Sequence, residues 1–130
     1  MYVEQSKKNF YRKYLNDPFP IESNLIGQIY DHINAEINAG TLLNKQNCMD
    51  YFSWTYFFRR LMSNPSYYGL KEASAKEVNR FMVDLVDKVI KRLVEHGCIK
   101  CEDNYGVEGT FLGYLSSFYY VRHETIWLFQ

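Results

Sequence analysis

His96, Cys98 and Cys101 stand as His-x-Cys-x-x-Cys, the sharpest metal-ligating pattern in the chain. Two cysteines at that spacing suit a zinc knuckle, but a structural zinc ion needs four ligands. His32 and His123 are the side chains that could complete such a set, and no second Cys-x-x-Cys accompanies them. The competing reading puts the cysteines at the edges of a short strand. Three residues apart, they then point to opposite faces, and Cys98 packs as a small buried hydrophobe. The expectation is no metal site. Nor is a nucleophilic cysteine expected, since no His–Asn or His–Asp setting is evident.

Other chemistry is sparse. None of the seven glycines is followed by lysine in the frame of a P-loop, and no Gly-x-Gly-x-x-Gly occurs. The carboxylates are scattered, with no pair placed as acid and base. The reading is a non-enzyme without a cofactor of its own. What remains are side chains suited to recognition. Arg59 and Arg60 could grip phosphates or carboxylates of a partner, or cover apolar surface with their stems. Tyr67 and Tyr68 could stack on bases, or pack their loop down through the turn at Gly69-Leu70. Lys76, Arg80, Lys88, Lys91 and Arg92 line one predicted helix among acidic neighbours, the usual look of a solvated face.

The arginine pair lies in an aromatic run from Asp50 to Tyr68 that holds eight aromatic side chains, including Trp54, Phe57 and Phe58. That is more than one amphipathic stripe can place, so the helix must be covered on more than one side. Fifteen basic residues balance fifteen acidic ones. A neutral chain lacks the basic excess of a free-standing nucleic-acid binder. Its apolar stretches are too short and too interrupted to span a membrane, and the polar, basic start carries no export signal. Three cysteines, an odd count, suit a reducing compartment. An intracellular domain, nuclear or cytoplasmic, is expected.

The elements that must position these residues follow from periodicity. Residues 1–22 read as a lead-in linker in which Lys7–Leu15 forms a short helix and Asp17-Pro18-Phe19-Pro20 breaks it. A first helix over Ser23–Ala39 repeats Leu25, Ile26, Ile29, Ile33 and Ile37, with Gly40 past its end. A second over Asn44–Ser63 carries the aromatic run and stops at Asn64-Pro65. Ser74-Ala75-Lys76-Glu77 has capping-box spacing and opens a third helix that ends at His96-Gly97. Asp84 with Lys88, and Asp87 with Lys91, are i,i+4 pairs on its solvent face. Cys98–Glu102 and Val107–Gly109 then read as a hairpin around Asp103-Asn104-Tyr105-Gly106. A last helical segment runs over Thr110–Val121. The fold class is mainly α with a small β hairpin: a winged helix, the helix-turn-helix variant, over 23–109, and the start of a following helical unit over 110–130. The 11-residue connection before the third helix exceeds the tight turn of a DNA-reading helix-turn-helix.

Several of these segments resemble one family: Asp17-Pro18-Phe19-Pro20-Ile21-Glu22-Ser23, Asp31-His32-Ile33-Asn34-Ala35-Glu36-Ile37, Trp54–Leu61, Asn64-Pro65-Ser66-Tyr67-Tyr68, Thr110-Phe111-Leu112-Gly113 and Tyr119-Tyr120. In order and wording they look like the winged-helix domain, C-terminal cassette, of Ski-like superfamily 2 helicases. The resemblance runs from about Lys8 to Phe129. It implies a part of a larger machine, in which RecA-like motor domains bind ATP and Mg and the winged helix bridges them to a helical bundle around the threaded strand. Trp54, Phe57, Phe58, Arg59 and Arg60 would then face the motor domains. Phe118–Phe129 would begin the bundle, with both motor domains upstream and the rest of the bundle downstream. Tyr67, Tyr68, Lys76 and Arg80 would be the points of weak contact with RNA or DNA. Cys101 has no counterpart in the family pattern, which argues further against zinc. The reading of a different class is an autonomous winged-helix regulator that binds duplex DNA through its third helix.

Overall fold

The computed structural model describes residues 2–15, 21–101 and 106–129. The Asp17–Pro20 break and most of the expected hairpin turn therefore lie outside the described residues. The chain builds α1 (Lys8–Arg12), α2 (Ile29–Asn38), α3 (Lys45–Ser53), α4 (Tyr56–Ser63) and the long α5 (Ala75–Glu95). The hairpin strands β1 (Ile99–Cys101) and β2 (Val107–Gly109) follow, then α6 (Phe111–Phe118) and α7 (His123–Leu128). Helices, then a hairpin, then further helix is the order expected of a winged helix with a helical unit after it.

Two of the expected helices are broken, each for a local reason. The first does not start at Ser23: a 3-10 turn at Leu25–Gly27 comes before α2. The Ser23 hydroxyl accepts from the Leu25 amide only two residues on, and the Ser23 amide donates to the Tyr68 hydroxyl. Ser23 thus ties down a turn rather than capping a helix. The second helix divides at Trp54-Thr55. Thr55 turns extended, its hydroxyl donates to the Phe52 carbonyl at 2.6 Å, and it accepts from the Phe58 amide to cap α4. A threonine that bonds its neighbours' backbone this way offers an alternative to helix continuation. The break lets α3 and α4 each send a phenylalanine, Phe52 and Phe57, into one core from different directions.

α5 forms as its sequence predicts. Ser74 accepts from the Glu77 amide at 3.4 Å. Val78, Met82, Leu85, Val86, Val89, Ile90 and Leu93 make its buried stripe. Gly97 takes φ 68° and closes the helix, with the Cys98 amide donating to Leu93 and the Gly97 amide to Val94. Asp87 turns to Lys45 on α3, 2.6 Å away, an ion pair that the expected partner Lys91 on its own helix does not make. This stripe packs with Ile29, Ile33 and Ile37 of α2 and with Cys48, Phe52, Phe57 and Leu61 into one core cluster.

The hairpin pairs Ile99 with Gly109, Lys100 with Glu108 and Cys101 with Val107. It is extended by a bridge the sequence did not signal: Asn44 pairs with Gly106, and the Val107 amide donates to Leu43 at 2.9 Å. Thr110 then joins hairpin to α6. Its hydroxyl accepts from the Gly113 amide as the helix cap and lies 2.7 Å from the Gly97 carbonyl. Behind it α6 lies close on the Cys98 carbonyl, just before β1, and on the Asn34 and Asn38 side chains of α2. A Cβ at Gly113 would sit 2.0 Å from the Cys98 carbonyl oxygen, and one at Gly109 would sit 2.2 Å from Asn38 Oδ1. α6 ends in a left-handed residue that is not glycine: Tyr120 takes φ 55° while the Val121 amide donates to Ser116.

These two positions predict opposite outcomes. Gly113→Ala forces backbone apart and should destabilise the domain by about 3 kcal/mol, the upper end for overpacking. Tyr120→Gly relieves a left-handed side chain and should stabilise it by about 1 kcal/mol. Urea unfolding of both variants checks the pair.

Candidate interaction surface

The aromatic run is sorted by the break at Thr55. On α4, Phe57 is fully buried at 0% exposure and Phe58 packs partly buried against the core, whereas Tyr56 and Arg59 face outward. Trp54, left at the end of α3, is 87% exposed. The expectation that all five of Trp54, Phe57, Phe58, Arg59 and Arg60 face a partner is therefore corrected. Phe57 belongs to the core and Phe58 mostly does, because i,i+4 spacing puts Phe57 and Leu61 on the inner face.

Arg60 is also occupied. Its guanidinium grips Glu22 bidentately, Nε to Oε2 at 3.1 Å and a terminal nitrogen to Oε1 at 2.5 Å. The same carboxylate accepts from Asn64 Nδ2 at 3.1 Å and from the Tyr68 hydroxyl at 3.0 Å. The Arg60 fork beside it, with Asn64 and Tyr68, holds the Glu22 carboxyl down at about 2. This corrects Tyr68 as a base-stacking candidate: its ring meets Phe57 edge-on at 5.2 Å and its hydroxyl clamps the lead-in segment. Tyr67, Lys76 and Arg80 stay exposed. Three residues of the nucleic-acid set, with Trp54, Tyr56 and Arg59 of the aromatic run, thus remain exposed, and among the described residues no one pocket gathers them.

The metal pattern disperses as the strand reading expects. Cys98 is buried and Cys101 exposed. Burial, helped by Asp31, pushes the Cys98 thiol up to about 11, so it stays protonated at neutral pH. Among the described residues no three potential ligands converge on an ion. Among them, too, no helix is long and apolar enough to cross a membrane.

The surface that sequence reasoning missed is α6. Its buried residues are Gly113 and Ser116, and its outward residues at i, i+3 and i+7 are Phe111, Tyr114 and Phe118. Phe111 is 72% exposed, and Tyr114 stacks on Phe118 at 5.5 Å. Glycine and serine inward with aromatics outward is the reverse of a surface helix. α7 adds Trp127, Leu128 and Phe129, all exposed. The periodicity was visible, but which face turns inward is decided by Asn34. That buried amide donates to the Gly113 carbonyl at 3.0 Å and accepts from Asn38. Asn34 sits in an isoleucine stripe with no outward sign of that role.

Helices crossing in one core and a long helix leading into a two-stranded wing define a winged helix-turn-helix. The chain belongs to the winged helix-turn-helix domain family, whose model matches residues 22–103. It is 48% identical over 129 residues to activating signal cointegrator 1 complex subunit 3 of Bos taurus and 46% identical to that of Homo sapiens, in each case across 98% of this chain. It is 42% identical over 127 residues, again 98% of the chain, to the DExH-box ATP-dependent RNA helicase DExH14 of Arabidopsis thaliana. The chain spans about 6% of the length of these relatives. It is similar to a segment of large helicases.

The Glu22 clamp gives a pH prediction. A carboxyl held at about 2 against an ordinary 4.5 contributes stability that is fully present above 4.5. That contribution is lost as pH falls through 4.5 towards 2. Glu22→Gln should therefore be less stable than the parent chain at neutral pH, with the gap closing in acid. Denaturant midpoints of the two proteins across that range are the measurement; a gap that is constant with pH would contradict the clamp.

Proposed function

We propose that this chain is the non-catalytic winged-helix module of an ATP-dependent nucleic-acid helicase. In this reading it bridges RecA-like motor domains, which bind ATP and Mg, to a helical bundle around the threaded strand. The observation that carries it is the inside-out helix α6. An aromatic stripe that its own domain leaves outward is supported as a packing face for more helix, and the similar helicases extend far beyond the matched segment. Trp54 and Arg59 are then the motor-facing pair of the original five. Exposed Trp and Arg are residue types enriched in interface hot spots. Tyr67, Lys76 and Arg80 are weak contacts to RNA or DNA, since a net charge of zero gives little attraction to phosphate. The parent works inside the cell, in nucleus or cytoplasm.

Three measurements on the purified chain test this. Nucleotide hydrolysis should be absent with or without RNA; measurable stimulated turnover would overturn the reading. Binding to RNA and duplex DNA should be weak and vanish at physiological salt, whereas sequence-selective retention there would favour the autonomous regulator. Phe111→Ser with Phe118→Ser should change stability by no more than about 0.5 kcal/mol while reducing self-association by sedimentation, because both rings are mostly exposed and Phe118 meets only the exposed rings of Tyr114 and Tyr119 among the aromatic contacts. In the parent helicase the same pair, or Trp54→Ala, should lower ATPase coupling to strand movement.

A further inference from the structure

Four rings stand in a column where α7 meets the rest of the domain. Tyr30 of α2 stacks on His123 at 5.1 Å, His123 on His96 at 5.1 Å, and His96 on Trp127 at 5.4 Å, with interplanar angles of 24°, 27° and 17°. Both histidines are buried, at 3% and 6% exposure. Nothing in the recognition surface uses them.

Their wiring joins three elements. Asp31 of α2 accepts at one oxygen, Oδ1, from the His123 backbone amide at 3.0 Å and lies 2.8 Å from His123 Nδ1. With a carboxylate as acceptor, His123 carries its proton at Nδ1. His96, just past the end of α5, meets α7 through its ring stacks on His123 and Trp127. One imidazole pair therefore fastens the first turn of α7 to both α2 and α5.

The charged groups around the pair make a second proton unwelcome. Burial foremost, then Arg92 and His123, press His96 below its ordinary 6.5, with Glu124 acting in the other sense. The cleft beside His123 is bordered by Tyr30 of α2, by Lys88, Lys91, Arg92 and Glu95 of α5, and by Glu124 of α7. Three cations face two carboxylates there, and the remaining carboxylate, Asp31, is already engaged by His123.

From this geometry we infer that the stacked His96–His123 pair is a proton-operated latch that holds α7 docked when His96 is neutral and releases it when His96 takes up a proton. The sign follows from the burial. A base that the docked form keeps neutral stabilises docking fully above 6.5, and that contribution is lost as pH falls below it. Release would swing Trp127, Leu128 and Phe129 away from α5 and change the direction in which the chain leaves the domain, with the α2–α5 core intact.

Hydrogen exchange between about pH 7.5 and pH 5 tests the latch in the whole chain. Corrected for intrinsic rate, protection of the His123 and Ile126 amides should fall at least about tenfold, while the Val89 and Ile90 amides of α5 keep theirs. Equal loss in α5, or no loss in α7, overturns the proposal. His96→Gln, which keeps a hydrogen-bonding group but cannot titrate, should stay docked at the lower pH. An undiminished transition in that variant also overturns it. Should His96→Gln fail to fold, the imidazole C2–H resonances of the unaltered chain decide. The latch requires His96 to titrate with the same midpoint as the loss of α7 protection, and separate midpoints would sink it.

Discussion

Everything after the wing depends on one close approach, the seating of Gly113 against Asn34 and the Cys98 carbonyl. A buried amide is costly unless its hydrogen-bonding groups are met. Asn34 meets the cost by donating to a backbone carbonyl of α6 and by accepting from Asn38. That bond seats Gly113 against the Asn34 and Asn38 side chains and the Cys98 carbonyl, and only a residue without a side chain fits there. Once Gly113 faces inward, helical geometry leaves no choice: Phe111, Tyr114 and Phe118 must face out. The exposed aromatic stripe is thus a consequence of a polar contact in the core. Its hydrophobicity did not set its direction.

The same logic explains which parts were legible in the sequence. α5, its serine cap, its glycine stop and the hairpin after it are local signals of long, periodic segments, and they appear where expected. The family resemblance was legible too, because Trp54–Leu61, Asn64–Tyr68 and Leu112-Gly113 are distinctive in wording and order. What was not legible were the decisions made by single polar side chains. Thr55 cuts a continuous aromatic helix in two, and Ser23 turns a helix start into an anchored loop. Hydrophobic period carries no record of either, since both residues also sit comfortably inside helices.

The candidate surface shows the same division. Eight aromatics in one run indicated that more than one side had to be covered. They did not say that the domain itself covers Phe52 and Phe57 by splitting the helix, or that Glu22 from the lead-in segment claims Arg60. A charged pair 38 residues apart in sequence is invisible to any local pattern. Trp54 and Arg59 remain outward because the break places one beyond the end of α3 and helical spacing puts the other opposite Phe57 and Leu61.

The domain is gripped at both ends by a carboxylate. At the entry, Glu22 binds Arg60, Asn64 and Tyr68 and so fixes the lead-in against α4. At the exit, Asp31 binds the backbone and ring of His123 and fixes α7 against α2. The two clamps differ in kind. Glu22 faces a guanidinium that stays charged at any physiological pH, so the entry is permanent. Asp31 faces an imidazole stacked on a second, buried imidazole, His96, whose charged form burial disfavours, so the exit rests on a histidine pair. In the proposed helicase setting, such a module transmits position between its neighbours only if its ends are stiff. Here one end is rigid by chemistry and the other is rigid on condition, which places any adjustable joint at α7, beside the aromatic face of α6.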